Sequence, residues 1–73
     1  MDEIKNKIKN ILKNNFDLDI KNDDEKFFHH LDSINNIRYI ILIENNFNIN
    51  INSEVVLSTI NETVDYIKKH DNN

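Results

Sequence analysis

Leu31-Asp32-Ser33-Ile34-Asn35-Asn36-Ile37-Arg38-Tyr39-Ile40-Ile41-Leu42-Ile43-Glu44-Asn45-Asn46-Phe47 is the stretch whose reading decides the fold. Asp32 or Ser33 can cap a helix, because a short side-chain oxygen accepts from an amide two or three residues further on. Behind that cap, Ile34, Ile37 and Ile41 recur at i, i+3 and i+7, the spacing of one helical stripe. Tyr39, Ile40, Ile43 and Phe47 form a second stripe on roughly the other side. A helix apolar on two sides is either central in a core or keeps one side for binding. In a chain of 73 residues few helices can be central. The expectation is a helix over about 33–46, with the Tyr39 stripe in the core and the Ile34, Ile37 and Ile41 stripe facing a partner.

Working outward toward the N-terminus, Ile4, Ile8, Ile11 and Leu12 fall at i, i+4, i+7 and i+8, which predicts an amphipathic helix over about 2–14. Asp2 and Glu3 stand at its start, where the helix dipole favours negative charge, and Asn14-Asn15 is its expected stop. Phe16, Leu18 and Ile20 then alternate with Asp17 and Asp19. No partner strand is in sight, so 15–31 reads as a long loop that drops every second side chain onto the helices, with Phe27-Phe28 as its closing anchor. Toward the C-terminus, Ile49 and Ile51 repeat the alternating style, and Ser53–Leu57 has room for one short helical turn. Ser58 or Thr59 caps a last helix over about 59–70, with Glu62 completing a capping box. Ile60, Val64 and Ile67 supply its stripe, and Lys68, Lys69 and His70 suit its C-terminal end. The fold class expected is all-α, a single domain over 1–73 with three main helices, a short helix over 53–57 and a long first loop.

Composition narrows the function. There is no Cys, which removes a disulfide framework, a thiolate metal site and a cysteine nucleophile together. There is no Gly and no Pro, so turns must be made by Asn and Asp, which tolerate left-handed backbone. A formal net charge of -4 disfavours general nucleic-acid binding, which needs a basic face. No apolar run approaches a membrane span, and Met1–Lys9 does not resemble a signal peptide, so a cytoplasmic monomer is expected. His29 and His30 are adjacent and poorly spaced for one metal. Asp23-Asp24-Glu25 lacks the alternating ligands and glycine of a calcium loop. No nucleophile-elbow glycine is present, so no catalytic residue is assigned and the chain is not expected to be an enzyme.

The run Leu31–Phe47 resembles the acyl carrier protein family, in which Asp-Ser-Leu or Asp-Ser-Ile opens the second helix. Phe47, Ile49 and Ile51 are similar to the family's phenylalanine and the alternating isoleucines after it, and Thr59-Ile60-Asn61-Glu62-Thr63-Val64-Asp65-Tyr66-Ile67 is similar to its last helix. The resemblance implies a small acyl-carrier-like bundle with a 4'-phosphopantetheine arm, derived from coenzyme A, on Ser33, and with Asp32 helping the transferase to orient the serine hydroxyl. Acyl or aminoacyl groups would be carried as thioesters in fatty-acid, polyketide or peptide-type biosynthesis. The implied partners are a phosphopantetheinyl transferase, a loading ligase and downstream biosynthetic enzymes. Ile34, Ile37, Arg38, Ile41 and Glu44 would meet them. The chain departs from the family's pattern in several places: the first loop and the short third helix are a few residues shorter than usual, and only Glu44 remains of the acidic residues common on the second helix. His29-His30-Leu31 stands where a glycine-containing turn is usual, and Arg38 occupies a position that is commonly acidic. The other function class left open is a non-catalytic helical interaction module with no prosthetic group.

Overall fold

The computed structural model describes residues 3–52 and 54–71. They form three α-helices, α1 (Glu3–Phe16), α2 (Ser33–Phe47) and α3 (Ile60–Asp71), and a 3₁₀ turn at Phe28–His30, with no strand among the described residues. Both α2 and α3 lie against α1. Ile8 and Leu12 of α1, Tyr39 and Ile43 of α2, and Ile60 and Ile67 of α3 are shut off from solvent and meet in one core. These are the inner stripes of the three amphipathic patterns, so burial of one apolar face per helix is what assembles the bundle.

α1 runs to Phe16, two residues past its expected end at Asn14. The reason lies in the next residue. Asp17 takes a left-handed conformation (φ 57°), and its N–H closes on the Lys13 carbonyl at 3.1 Å. α2 ends the same way on Asn48 (φ 55°), with the Asn48 and Ile49 amides both returning to the Glu44 carbonyl. Glycine normally takes this position because it has no Cβ; Asn and Asp are the next most tolerant residues. Asp2, expected in the first turn of α1, lies outside the described residues.

The loop after α1 does what the alternation suggests. Ile20 and Phe27 are buried, while Phe16 and Leu18 are half-buried against the core. Its polar tip is tied on two sides. Asp23 lies between Lys5 (2.8 Å) and Lys9 (3.3 Å) of α1, and its carbonyl accepts the Asn61 N–H of α3 at 3.1 Å. The Asn61 side chain donates to Asp24 at 2.7 Å, and the Phe27 N–H reaches the Ser58 carbonyl at 2.9 Å.

The short helix expected over 53–57 is not found. Ser53 lies outside the described residues, and beyond a turn closed by the Val55 N–H on the Asn52 carbonyl (2.9 Å) the chain to Ser58 is non-helical. Five residues do not supply enough helical hydrogen bonds to offset nucleation, and here Leu57 must be buried while its neighbour Val56 points out. The short helical turn lies instead at Phe28–His30, just before α2. No helix of the described residues is long and apolar enough to cross a membrane.

Candidate functional site

The head of α2 is set by Asp32. Its backbone is extended, and its Oδ1 accepts the Asn35 N–H at 2.8 Å, so Asp32 is the cap and Ser33 the first helical residue. Asn36 fixes the approach from behind, since its side-chain amide donates to the carbonyls of Leu31 (3.1 Å) and Asp32 (3.0 Å). Leu31 is buried and anchors this entry to the core. Ser33 is therefore an exposed hydroxyl on a firmly held helix start. The first amides of a helix have no carbonyl partner within it, and the dipole is positive there. A phosphate ester on Ser33 would meet a favourable field at that position.

Down the outer face of α2, Ile34, Ile37 and Ile41 are 69%, 61% and 47% exposed. Their sister stripe is inside: Tyr39 and Ile43 are buried, with Ile40 and Phe47 packed against the core. Tyr39 also explains why a polar atom is tolerated there. Thr63 Oγ1 donates to the Thr59 carbonyl at 3.0 Å, so the Tyr39 hydroxyl, 2.8 Å away, is the donor to Thr63. Burial pushes the Tyr39 phenol well above its ordinary value, and the bond to Thr63 offsets only part of this.

The structure separates the two charged residues named for the partner face. Arg38 is exposed, with Nη1 3.3 Å from Asn35 Oδ1 and its guanidinium 5.7 Å from the centre of the Phe16 ring. Glu44 is half-buried, and its Oε2 accepts the Ile51 N–H at 2.7 Å. Glu44 is thus committed to holding the chain after α2, which leaves Arg38 as the exposed ionic group of that helix. Two contributors to the surface differ from expectation: Val56 belongs to no stripe, and Phe28, expected with Phe27 to anchor the loop, lies outside the core. Val56, 59% exposed, and Phe28, 38% exposed, extend the apolar patch beyond α2. Their signal was an apolar residue without a periodic partner, which does not tell in from out.

His29 and His30 are exposed on the 3₁₀ turn, and His30 Nε2 lies 4.0 Å from Glu25. Among the described residues no group of three His, Asp or Glu side chains is placed to hold a metal ion. No protein-family model, no curated protein and no solved structure matches this chain.

Proposed function

We propose that this chain is a carrier protein that holds acyl or aminoacyl groups as thioesters on a 4'-phosphopantetheine arm attached to Ser33. The observation that carries the reading is the position of Ser33, exposed at the first turn of α2 behind the Asp32 cap and at the top of an outward-facing isoleucine stripe. On this reading the three helices are the acyl-carrier-like bundle that the sequence resembles. The residues at that place fit the group: Ser33 supplies the oxygen for a phosphodiester, and the unpaired amides of the first turn face its negative charge. The arm, when present, supplies a thiol for thioester exchange. Ser33 tethers it, Asp32 and Asn36 hold the tether point still, and the stripe of Ile34, Ile37 and Ile41 with Arg38 meets partner enzymes. Catalysis belongs to those partners. The carrier raises the effective concentration of its cargo at their active sites.

The test is intact-protein mass spectrometry after incubation with coenzyme A, magnesium and a broad-specificity phosphopantetheinyl transferase. The expected result is a mass increase of a single phosphopantetheinyl group, absent in Ser33→Ala. A folded sample that stays unmodified with several transferases would overturn the carrier reading and leave an interaction module.

A further inference from the structure

The 3₁₀ turn at Phe28–His30 is held at both ends. The His30 and Leu31 amides return to the Phe27 and Phe28 carbonyls at 2.9 and 3.3 Å, and Phe27 and Leu31, on either side of the turn, are buried. The turn also lies against one particular side of α2. Phe28 lines a groove with Asn36 and Ile37, and the far wall of that groove is Val55, Val56 and Leu57. Ser33 stands three and four residues before Asn36 and Ile37, so it shares their face of the helix, one turn nearer the start. The fold therefore brings the turn to the side of α2 on which the Ser33 hydroxyl stands.

From Phe27 to Ile37 the only basic side chains are His29 and His30, and both are exposed. They differ in what holds them. His30 Nε2 lies 4.0 Å from Glu25, whereas the His29 ring makes no hydrogen bond or ion pair among the described residues. Arg38, the next cation along the chain, is turned to Asn35 and the Phe16 ring.

We propose that His29, as imidazolium, is the counter-ion of the phosphate that Ser33 bears in the carrier reading. His29 holds the root of the arm against the turn at acidic pH and releases it as the ring loses its proton. The inference rests on that reading of Ser33 and adds to it a cation placed before the helix rather than on it. The amides of the first turn are fixed partial charges and act at every pH. An imidazole changes charge between about pH 5 and 8, while a phosphodiester stays anionic throughout, so the ring alone switches the attraction. The other charged residues around the turn are Glu25 and Lys26 of the first loop, Asp32 at the cap and Glu54 on the run into α3. The three carboxylates offer a phosphate no donor, and Asp32 Oδ1 already accepts the Asn35 amide. An ammonium keeps its charge over that range, so Lys26 adds a constant and not a switch.

The experiment follows the ³¹P resonance of the loaded protein, freed of excess coenzyme A, from about pH 5 to about pH 8. The phosphodiester itself does not titrate there, so a step reports a neighbouring group. The expected result is a single step in wild type, lost in His29→Gln and kept in His30→Gln. At about 500 mM salt the step should shrink, because an exposed pair is screened. His29→Lys should hold the resonance near its acid-side position throughout, which a merely structural role for this residue would not produce. Circular dichroism like that of wild type checks that each variant is folded. A flat resonance in loaded wild-type protein overturns the inference, as does a step that survives His29→Gln or persists in His29→Lys. A chain that never takes the arm, read by its mass, overturns the carrier reading and this inference together; a loaded chain with a flat resonance overturns this inference alone.

Discussion

Asp32 and Ser33 stand side by side and do different work. Asp32 closes the helix with its 2.8 Å bond to the Asn35 amide, while the Ser33 hydroxyl is exposed and has no share in that bond. Asp32→Ala should therefore lower stability by about 1 kcal/mol, read as a shift in the urea midpoint. Ser33→Ala should stay within about 0.5 kcal/mol of wild type while losing its modification. Tyr39 makes the complementary case in the core. Tyr39→Phe removes the donor to Thr63 and should cost about 1 kcal/mol, because Thr63 keeps its own bond to the Thr59 carbonyl. The raised phenol of Tyr39 also fixes a sign. The unfolded chain ionises it near the ordinary value of 10.0 and the folded chain does not, so its contribution is complete below that pH and falls as pH rises above it. That part of the alkaline decline should vanish in Tyr39→Phe, as followed by circular dichroism. At this scale the sequence is most legible where the signal is local: side-chain type and spacing narrow each cap to a pair, Asp32 or Ser33 and Ser58 or Thr59, and the structure settles on Asp32 and on Thr59, whose hydroxyl accepts the Glu62 amide at 3.0 Å. Glu44 shows where local signals stop: the resemblance counts it among the residues that meet partners, and only the path of the chain through Ile51 reveals the amide it accepts.

Among the elements, the helices were read from periodicity and the connections were not. Periodicity reports burial, and burial of Ile8, Leu12, Tyr39, Ile43, Ile60 and Ile67 is what the three stripes share. The alternation in the first loop ends at Ile20, so the anchorages beyond it, Asp23 to α1 and Asn61 to Asp23 and Asp24, depend on residues far apart in the chain. Asp23 is where that loop should be sensitive to acid. The Lys5 hydrogen bond holds its carboxyl below the ordinary value of 3.8, reinforced by Lys9 and opposed by partial burial. A lowered folded-state value means that this contribution is present above the ordinary pKa and is lost as pH falls through the folded one. Asp23→Asn should accordingly lower the urea midpoint at about pH 6, and its difference from wild type should shrink as pH falls below the ordinary value of 3.8. A variant as stable as wild type at about pH 6 would show that the two lysine contacts do not hold the loop.

For the whole molecule, the division of α2 into an inner and an outer stripe sets which substitutions unfold it and which only silence it. Leu12→Ala empties a fully buried site and should cost about 2–5 kcal/mol. For a chain of this size, with about 0.05–0.15 kcal/mol of stability per residue, that is enough to leave a large share unfolded. Ile41→Asp, on the exposed stripe, should keep the helical circular dichroism of wild type and lose productive encounter with the transferase. Collapse of its helix signal would place Ile41 in the core instead. The two-faced pattern was legible because a small chain has few ways to bury both sides of one helix. The groove was not legible, since its far wall is the non-helical run through Val55, Val56 and Leu57, whose orientation no local period records.

The ties that cross from the first loop to the entrance of α3, Phe27 to Ser58 and Asn61 to Asp23, also set an order of events during synthesis. A ribosome delivers α1, the long loop and α2 before any residue of α3 exists. At that stage the Phe27 and Asp23 backbone groups await their partners, and the stripe of α1 that α3 will cover is still bare. The emerging two-helix half therefore has no complete core to settle on, and the loop stays open until α3 arrives and closes both contacts together. Folding is expected to finish as one late, concerted step once α3 is available, rather than helix by helix along the nascent chain.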